Sequence, residues 1–320
     1  MKKVIFLVIG LATILVITCN SSTATQVVSN QKDTSKKMQD FVINISKYAR
    51  KFDADFIIIP QNGEELAFIG ANPDKKLNTT FLNAINGFGI EELFYNETFK
   101  PNEYRIGLLQ KIKDQKTILV SEYVNDTTIV NDAHNKNSNE GFISFIRTKD
   151  NYHYSIIPKK INNENSENIT SLKDVKNFLY LINNSNFYSK SGFLEAISNT
   201  NYDLIFIDLY HNGVLFKKEE IERLKQKKNG GKRLVVCYMN IGAAEKYRNY
   251  WKRDWTLGNP SWLKKKYDGY DQEVWVEFWN KDWQKIVYGN DQSYLAKILE
   301  AGYDGAYLDN VEAYYFLYND

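Results

Sequence analysis

Apolar and polar positions alternate along this chain in two rhythms. Short, nearly continuous apolar runs fall at 56–59, 87–94, 117–124, 141–146, 178–182, 203–209, 233–241, 274–279 and 305–311. Runs of that length, rich in β-branched and aromatic residues, predict buried strands. Segment 38–52 instead carries Phe41, Ile45 and Tyr48 at helical spacing, and 217–228 and 283–301 also predict helices. Apolar strands alternating with amphipathic helices imply a parallel sheet with both faces covered. Eight or nine such strands favour an α/β fold closed into a (β/α)8 TIM-type barrel over an open sheet. The pattern leaves open whether 141–146 belongs to the barrel or is an extra strand.

The ends of the chain follow other rules. Lys2-Lys3 precedes an apolar run at 4–17 interrupted by Gly10 and Thr13, and Cys19 follows. This predicts a signal peptide rather than a spanning helix. Val16-Ile17-Thr18-Cys19 resembles a bacterial lipoprotein cleavage box, with Thr18 where Gly, Ala or Ser is usual and Cys19 as the lipidated residue. The expectation is a cell-envelope lipoprotein held to the membrane only by that lipid, with a secreted soluble protein as the alternative. Residues 20–37 are polar and read as a flexible tether, residues 158–171 as a second polar linker, and 38–320 as one barrel domain.

Composition narrows the function classes. The 41 Lys and Arg residues nearly balance 39 Asp and Glu, so no global field points to nucleic acid. Cys237, the only other cysteine, sits in an apolar strand and reads as a small core residue, leaving no disulfide framework. His134, His153 and His211 are scattered without metal-ligand spacing. No metal and no cofactor are expected, and the protein is read as a monomer.

Several segments of the second half resemble one family. They are Asp203-Leu204-Ile205-Phe206-Ile207-Asp208, then Tyr238-Met239-Asn240-Ile241-Gly242 through Glu245, Tyr247, Arg248 and Trp251, and Gly302-Tyr303-Asp304-Gly305-Ala306-Tyr307-Leu308-Asp309. The family is glycoside hydrolase family 114, the endo-α-1,4-polygalactosaminidase-like barrels. In the first half, Pro60-Gln61-Asn62-Gly63-Glu64-Glu65-Leu66 and Gly89-Ile90-Glu91-Glu92-Leu93-Phe94-Tyr95 are similar to the same family. Those two segments follow the Leu-Asp segment in the family and precede it here. The resemblance therefore implies a circular permutation, with 158–171 joining the ancestral ends and 38–157 holding the family's C-terminal half.

Barrel active sites lie at the C-terminal ends of strands. Asp208, Asp309, Glu91 and Glu122 meet that condition, and glycosidic cleavage uses two carboxyls. The resemblance carries the catalytic Asp to Asp309 and the catalytic Glu to Glu91. The expected roles are Asp309 as nucleophile or base and Glu91 as acid. Strand alternation should admit only one of Glu91 and Glu92 to the site. Asp208, Tyr238, Gln61, Asn62, Asn310 and Glu122 are candidate substrate-binding residues, Glu122 being structural otherwise. Glu245 and Arg248, three apart, share a helix face and form an ion pair or shape the substrate site. Trp279 is the tryptophan best placed to stack on a sugar. Ala243 stands where relatives often have Glu. The function expected is hydrolysis of an amino-sugar polymer or related glycan, with a poly- or oligosaccharide as partner. The alternative is a non-catalytic glycan-binding surface lipoprotein.

Overall fold

The computed structural model describes residues 21–317 except Asn151. The expected signal peptide and Cys19 lie outside the described residues. In chain order the elements are α1 (Ser21–Ala49), β1 (Ile57–Pro60), α2 (Thr79–Ala84), β2 (Gly87–Phe99), α3 (Glu103–Gln110), β3 (Thr117–Val124), α4 (Val130–Asn139) and β4 (Ile143–Arg147). There follow β5 (Phe178–Leu181), α5 (Lys190–Ser198), β6 (Leu204–Ile207), a small hairpin of β7 (Tyr210–His211) and β8 (Val214–Leu215), α6 (Lys218–Leu224) and β9 (Leu234–Asn240). The chain continues through β10 (Ala243–Glu245), β11 (Leu263–Lys266), β12 (Glu273–Val276), α7 (Lys281–Val287), α8 (Tyr294–Glu300), β13 (Gly305–Asp309) and α9 (Ala313–Phe316).

Two parallel sheets form the centre, with orders β1-β13-β9-β6-β5 and β2-β3-β4. β1, β5 and β6 are buried at every position, which is why they read as unbroken apolar runs. One pair of sheet edges is bridged by the main chain and the other touches through side chains. A parallel bridge joins Gln61 to Gly89, and Asn62 N donates to Gly89 O at 2.7 Å. Across the other edges, the rings of Phe145 on β4 and Phe178 on β5 lie 5.8 Å apart. Phe206 and Tyr307 from the five-stranded sheet, with ring centroids 4.5 Å apart, fill the space between. Because β4 pairs in parallel register with β3, 141–146 is a regular strand of this assembly.

Three expectations need correction. The run 274–279 is not a further parallel strand. It gives β12, the middle strand of an antiparallel β10-β12-β11 sheet, whose antiparallel pairs need no crossover helix. Segment 283–301 is two helices, broken at Gly289 with φ 102° and restarted where Ser293 accepts from Ala296 N. Finally, residues 21–37 are not an unstructured tether but the first part of α1. Thr34 and Ser35 are buried, and Thr34 Oγ1 donates to Tyr314 O at 3.2 Å. Thr34, one of the polar residues that suggested a tether, thus meets a partner far along the chain. The 158–171 segment has no helix or strand but is pinned, with Asn165 bonding Asp203 and Lys227.

Gly89 is required by close approach: a Cβ there would overlap the Tyr307 phenol and its hydroxyl. By contrast, a Cβ on Gly107 in α3 meets nothing within 4 Å. Gly89→Ala should therefore lose about 1–3 kcal/mol or more through overpacking. Gly107→Ala should gain about 0.5–1 kcal/mol from helix propensity. Urea unfolding midpoints check both, and equal effects would contradict the packing account.

Candidate active site

The C-terminal ends of β13 and β1, and β2 at the start of its irregularity, bring Asp309, Gln61 and Glu91 to one mouth. They line a cleft of about 600 Å³ together with Asp208, Glu273 and Glu312. The backbone turns sharply at this rim: Asn62, Glu92 and Asn310 have φ of 56°, 54° and 59°. Asn tolerates the left-handed region through its short polar side chain, whereas a left-handed Glu is uncommon. At Glu92 this turn coincides with an irregularity in β2 between Glu91 and Asn96. Alternation fails there, so Glu91 and Glu92 both reach the cleft, contrary to expectation. Both also face buried Arg147 at the end of β4, at 4.0 Å and 3.3 Å.

The same irregularity explains Glu122, which is fully buried and does not line the cleft. Its carboxylate accepts from Phe94 N at 3.1 Å, Tyr95 N at 3.0 Å and Asn137 Nδ2 at 2.9 Å. It satisfies amides that the distorted strand withdraws from the ladder. Its role is structural, and the substrate-binding expectation for it is corrected.

Asp309 Oδ2 accepts from the Tyr238 hydroxyl and Oδ1 from Asn310 N at 2.7 Å. Burial and the charge of Glu91 nevertheless push its pKa up to about 7. The two carboxyls thus feel each other across the cleft. Glu91 Oε2 accepts from Gln61 Nε2 at 2.6 Å, and Oε1 accepts from the Tyr154 hydroxyl. Its main chain is held too. Glu91 N donates to Asn62 Oδ1 at 3.0 Å, and Arg105 Nη1 donates to Glu91 O at 2.9 Å. Arg105 Nη2 also donates to Asn62 Oδ1 at 2.8 Å. Asn62 in turn donates to Glu312 at 3.1 Å.

On the opposite wall Arg248 bridges two acids. It pairs with Asp208 at 2.7 Å and with Glu245 at 2.7 Å, and donates to the Tyr294 hydroxyl at 3.0 Å. The Glu245–Arg248 pair exists, but on a turn leaving β10 rather than on a helix face. Burial raises the Asp208 pKa despite Arg248. Two acids were missed by sequence reasoning. Burial, with Glu245 and Asp309 nearby, pushes Glu273 up to about 8. Burial also holds Glu312 at about 7, though Arg105 pulls it down. Glu273 starts an antiparallel strand and Glu312 follows the last one, so a search of parallel-strand ends passes over both.

Trp279 is misplaced as a ligand contact. Its ring lies under Lys37 of α1, 4.6 Å away, and edge-on to Phe278. None of the six tryptophans, all within the described residues, lines the cleft; tyrosines do. Trp251, Trp255, Trp262 and Trp283 pack on one another instead. Ala243 is buried on β10 opposite Trp275. Among the described residues, no group of three or more His, Cys, Asp and Glu side chains is arranged to hold a metal, and no helix is long and apolar enough to cross a membrane.

Asp309, Glu273 and Glu312 bind protons more tightly in the fold than in the unfolded chain, where carboxyls titrate near about 4. Their native protons favour folding below that range, and the advantage is lost as pH rises through about 7 to about 8. Unfolding free energy should therefore fall between about pH 5 and about pH 8. Asp309→Asn should flatten that fall by up to about 3 kcal/mol, at about 1.4 kcal/mol per pH unit from about pH 5 to about 7. Parallel wild-type and variant curves would contradict the raised Asp309.

Curated relatives share parts of this chain. An uncharacterized protein of Methanocaldococcus jannaschii is 33% identical over 176 residues, 54% of this chain and 48% of the relative. One of Thermotoga maritima is 31% identical over 118 residues, 37% of this chain and 35% of the relative. One of Deinococcus radiodurans is 29% identical over 122 residues, 38% of this chain and 37% of the relative. The chain thus spans between about a third and a half of the length of the relatives it matches. Glu91 and Gln61 precede the segment that matches a family profile. Over residues 174–320, which carry Asp208, Arg248, Glu273 and Asp309, the chain matches the model of glycoside-hydrolase family GH114.

Proposed function

We propose that the protein is a glycosidase that cleaves an amino-sugar polymer or a related glycan with Asp309 and Glu91. The observation that carries this reading is the pair itself, at one cleft where burial and then the Glu91 charge raise Asp309 to about 7. Glycoside cleavage needs one carboxyl holding a proton for the leaving oxygen, and one free to attack the anomeric carbon or activate water. A cleft that holds two carboxyls, one of them, Asp309, raised to about 7 and so able to keep a proton, meets that need. The raised Asp309 favours it as the proton donor. Glu91, an acceptor from Gln61 and Tyr154, then serves as nucleophile or base. This reverses the roles expected from the sequence.

The surroundings complete the proposal. Gln61 and Tyr238 orient the two carboxyls, while Asp208 and Glu245 hold Arg248 at the wall for a sugar hydroxyl. Asn62 and Asn310 set the rim. We further propose that the two parallel sheets close into one (β/α)8 barrel over 38–320, supported by the Gln61–Gly89 bridge and the Phe145–Phe178 contact. Circular permutation accounts for Glu91 lying before the matched segment. Export as a monomer with a lipid on Cys19 completes the picture.

The test uses reducing-end release from partially acetylated galactosamine polymers and turnover of an activated aryl glycoside. Asp309→Asn should lose about a thousandfold on polymer yet keep most turnover on the activated leaving group. Glu91→Gln should lose both. The opposite pattern would restore the expected roles. Binding without release, unchanged in Asp309→Asn, would reject catalysis for a glycan-binding lipoprotein.

A further inference from the structure

Two tyrosines at the cleft mouth are far more exposed than the residues beneath them. Tyr152, in the segment between β4 and β5, is 61% exposed, and Tyr270, in the β11–β12 turn, is 39% exposed. Both line the cleft. Their rings meet edge to face, with centroids 5.7 Å apart at 70°. Two segments 118 positions apart in the chain are thus joined by aromatic contact at the rim.

Each ring is braced from behind. Tyr152 N donates to Asp150 Oδ1 at 3.0 Å, and His153 Nδ1 lies 2.9 Å from Asp150 Oδ2. Tyr270 packs on Tyr267 at 5.0 Å and 75°, and Tyr267 stacks on Trp275 at 4.1 Å and 14°. Both supports lead to the catalytic candidates. Tyr154, two residues beyond Tyr152, donates to Glu91. The Tyr267 hydroxyl donates to Asn310 Oδ1 at 3.1 Å, next to Asp309. An edge-to-face pair leaves no room for a ring between its members, and it fixes both rings in place. What remains open is the outer aromatic surface.

Resting on the glycosidase reading, we propose that Tyr152 and Tyr270 form a pre-organised stacking platform for a sugar ring of the substrate beyond the bond being cut. The apolar C–H face of a pyranose covers such a surface without losing its hydroxyls' water contacts. Because the platform is ordered before binding, little side-chain freedom is lost when the sugar arrives. The supports place that sugar in line with Glu91 and Asp309, so the platform favours chains over single sugars.

The experiment measures calorimetric affinity of Glu91→Gln protein for a partially de-N-acetylated galactosamine polymer. Adding Tyr152→Ala or Tyr270→Ala to that background should weaken binding about tenfold or more. Tyr152→Phe and Tyr270→Phe should bind within about twofold of the parent, since a ring face and not a hydroxyl does the holding. Circular dichroism and unfolding midpoints confirm that each variant folds. Parental affinity in the alanine variants refutes the platform while leaving the glycosidase reading intact. Equal losses in the phenylalanine and alanine variants also refute stacking. If the parent binds neither this polymer nor any of a panel of other polysaccharides, the glycan reading fails and the platform falls with it.

Discussion

Crowding of like charge governs this molecule. Glu91, Glu92, Asp208, Glu273, Asp309 and Glu312 line one cleft, and carboxylates so close in a partly dry space cannot all be ionised. The fold relieves the repulsion in two ways. Cations neutralise one set: Arg248 takes Asp208 with Glu245, and Arg147 takes Glu92. Protons neutralise another, as burial and neighbouring charge hold Asp309 and Glu312 at about 7 and Glu273 at about 8. An apolar set of side chains at these positions would be more comfortable for folding. Acids retained in such a place, with their pKa values pushed up, mark the cleft as a candidate functional site.

Backbone geometry serves the same end. Asn62, Glu92 and Asn310 all sit in the left-handed region at strand ends, a conformation of order 1–3 kcal/mol above the ordinary wells for such residues. Their side chains are placed by those turns. Asn62 reaches both the Glu91 amide and Glu312, and Asn310 N reaches Asp309. Rigid neighbours hold the strained turns in place: Arg105 ties Asn62 to the Glu91 carbonyl, and Glu122 binds the amides beyond Glu92. A site built this way is set before any ligand arrives.

Much of this was legible in the residues, and the failures have physical causes. Fully buried parallel strands announce themselves as apolar runs, so β1, β5, β6, β9 and β13 were found close to their bounds. Asp309, Glu91, Gln61, Asn62, Tyr238 and Asp208 do line one cleft, because strand-end position is a topological property that survives errors in register. The period-two rule failed at Glu91-Glu92 because a single left-handed residue cancels it, and nothing in the local sequence marks that residue. Trp279 misled because bulk and aromaticity suit a core as well as a groove. Glu122 misled because an acid at a strand end can serve backbone amides instead of ligand. Glu273, Glu312, Arg105 and Arg147 went unseen, since each enters the site through a contact far away in sequence. The polar face of α1 was read as a tether for the same reason: its partners, such as the Tyr314 carbonyl, lie at the other end of the chain.

The central claim is that burial, reinforced by the Glu91 charge, raises Asp309 to about 7, so that it can hold a proton near neutral pH. Infrared difference spectra of the protonated carboxyl stretch, recorded across pH for wild type, Asp309→Asn and Glu91→Gln, measure it directly. The account predicts a carboxyl band titrating near about 7 in wild type, missing in Asp309→Asn and moved to lower pH in Glu91→Gln. A band that survives in Asp309→Asn, or whose midpoint is indifferent to Glu91, would contradict it.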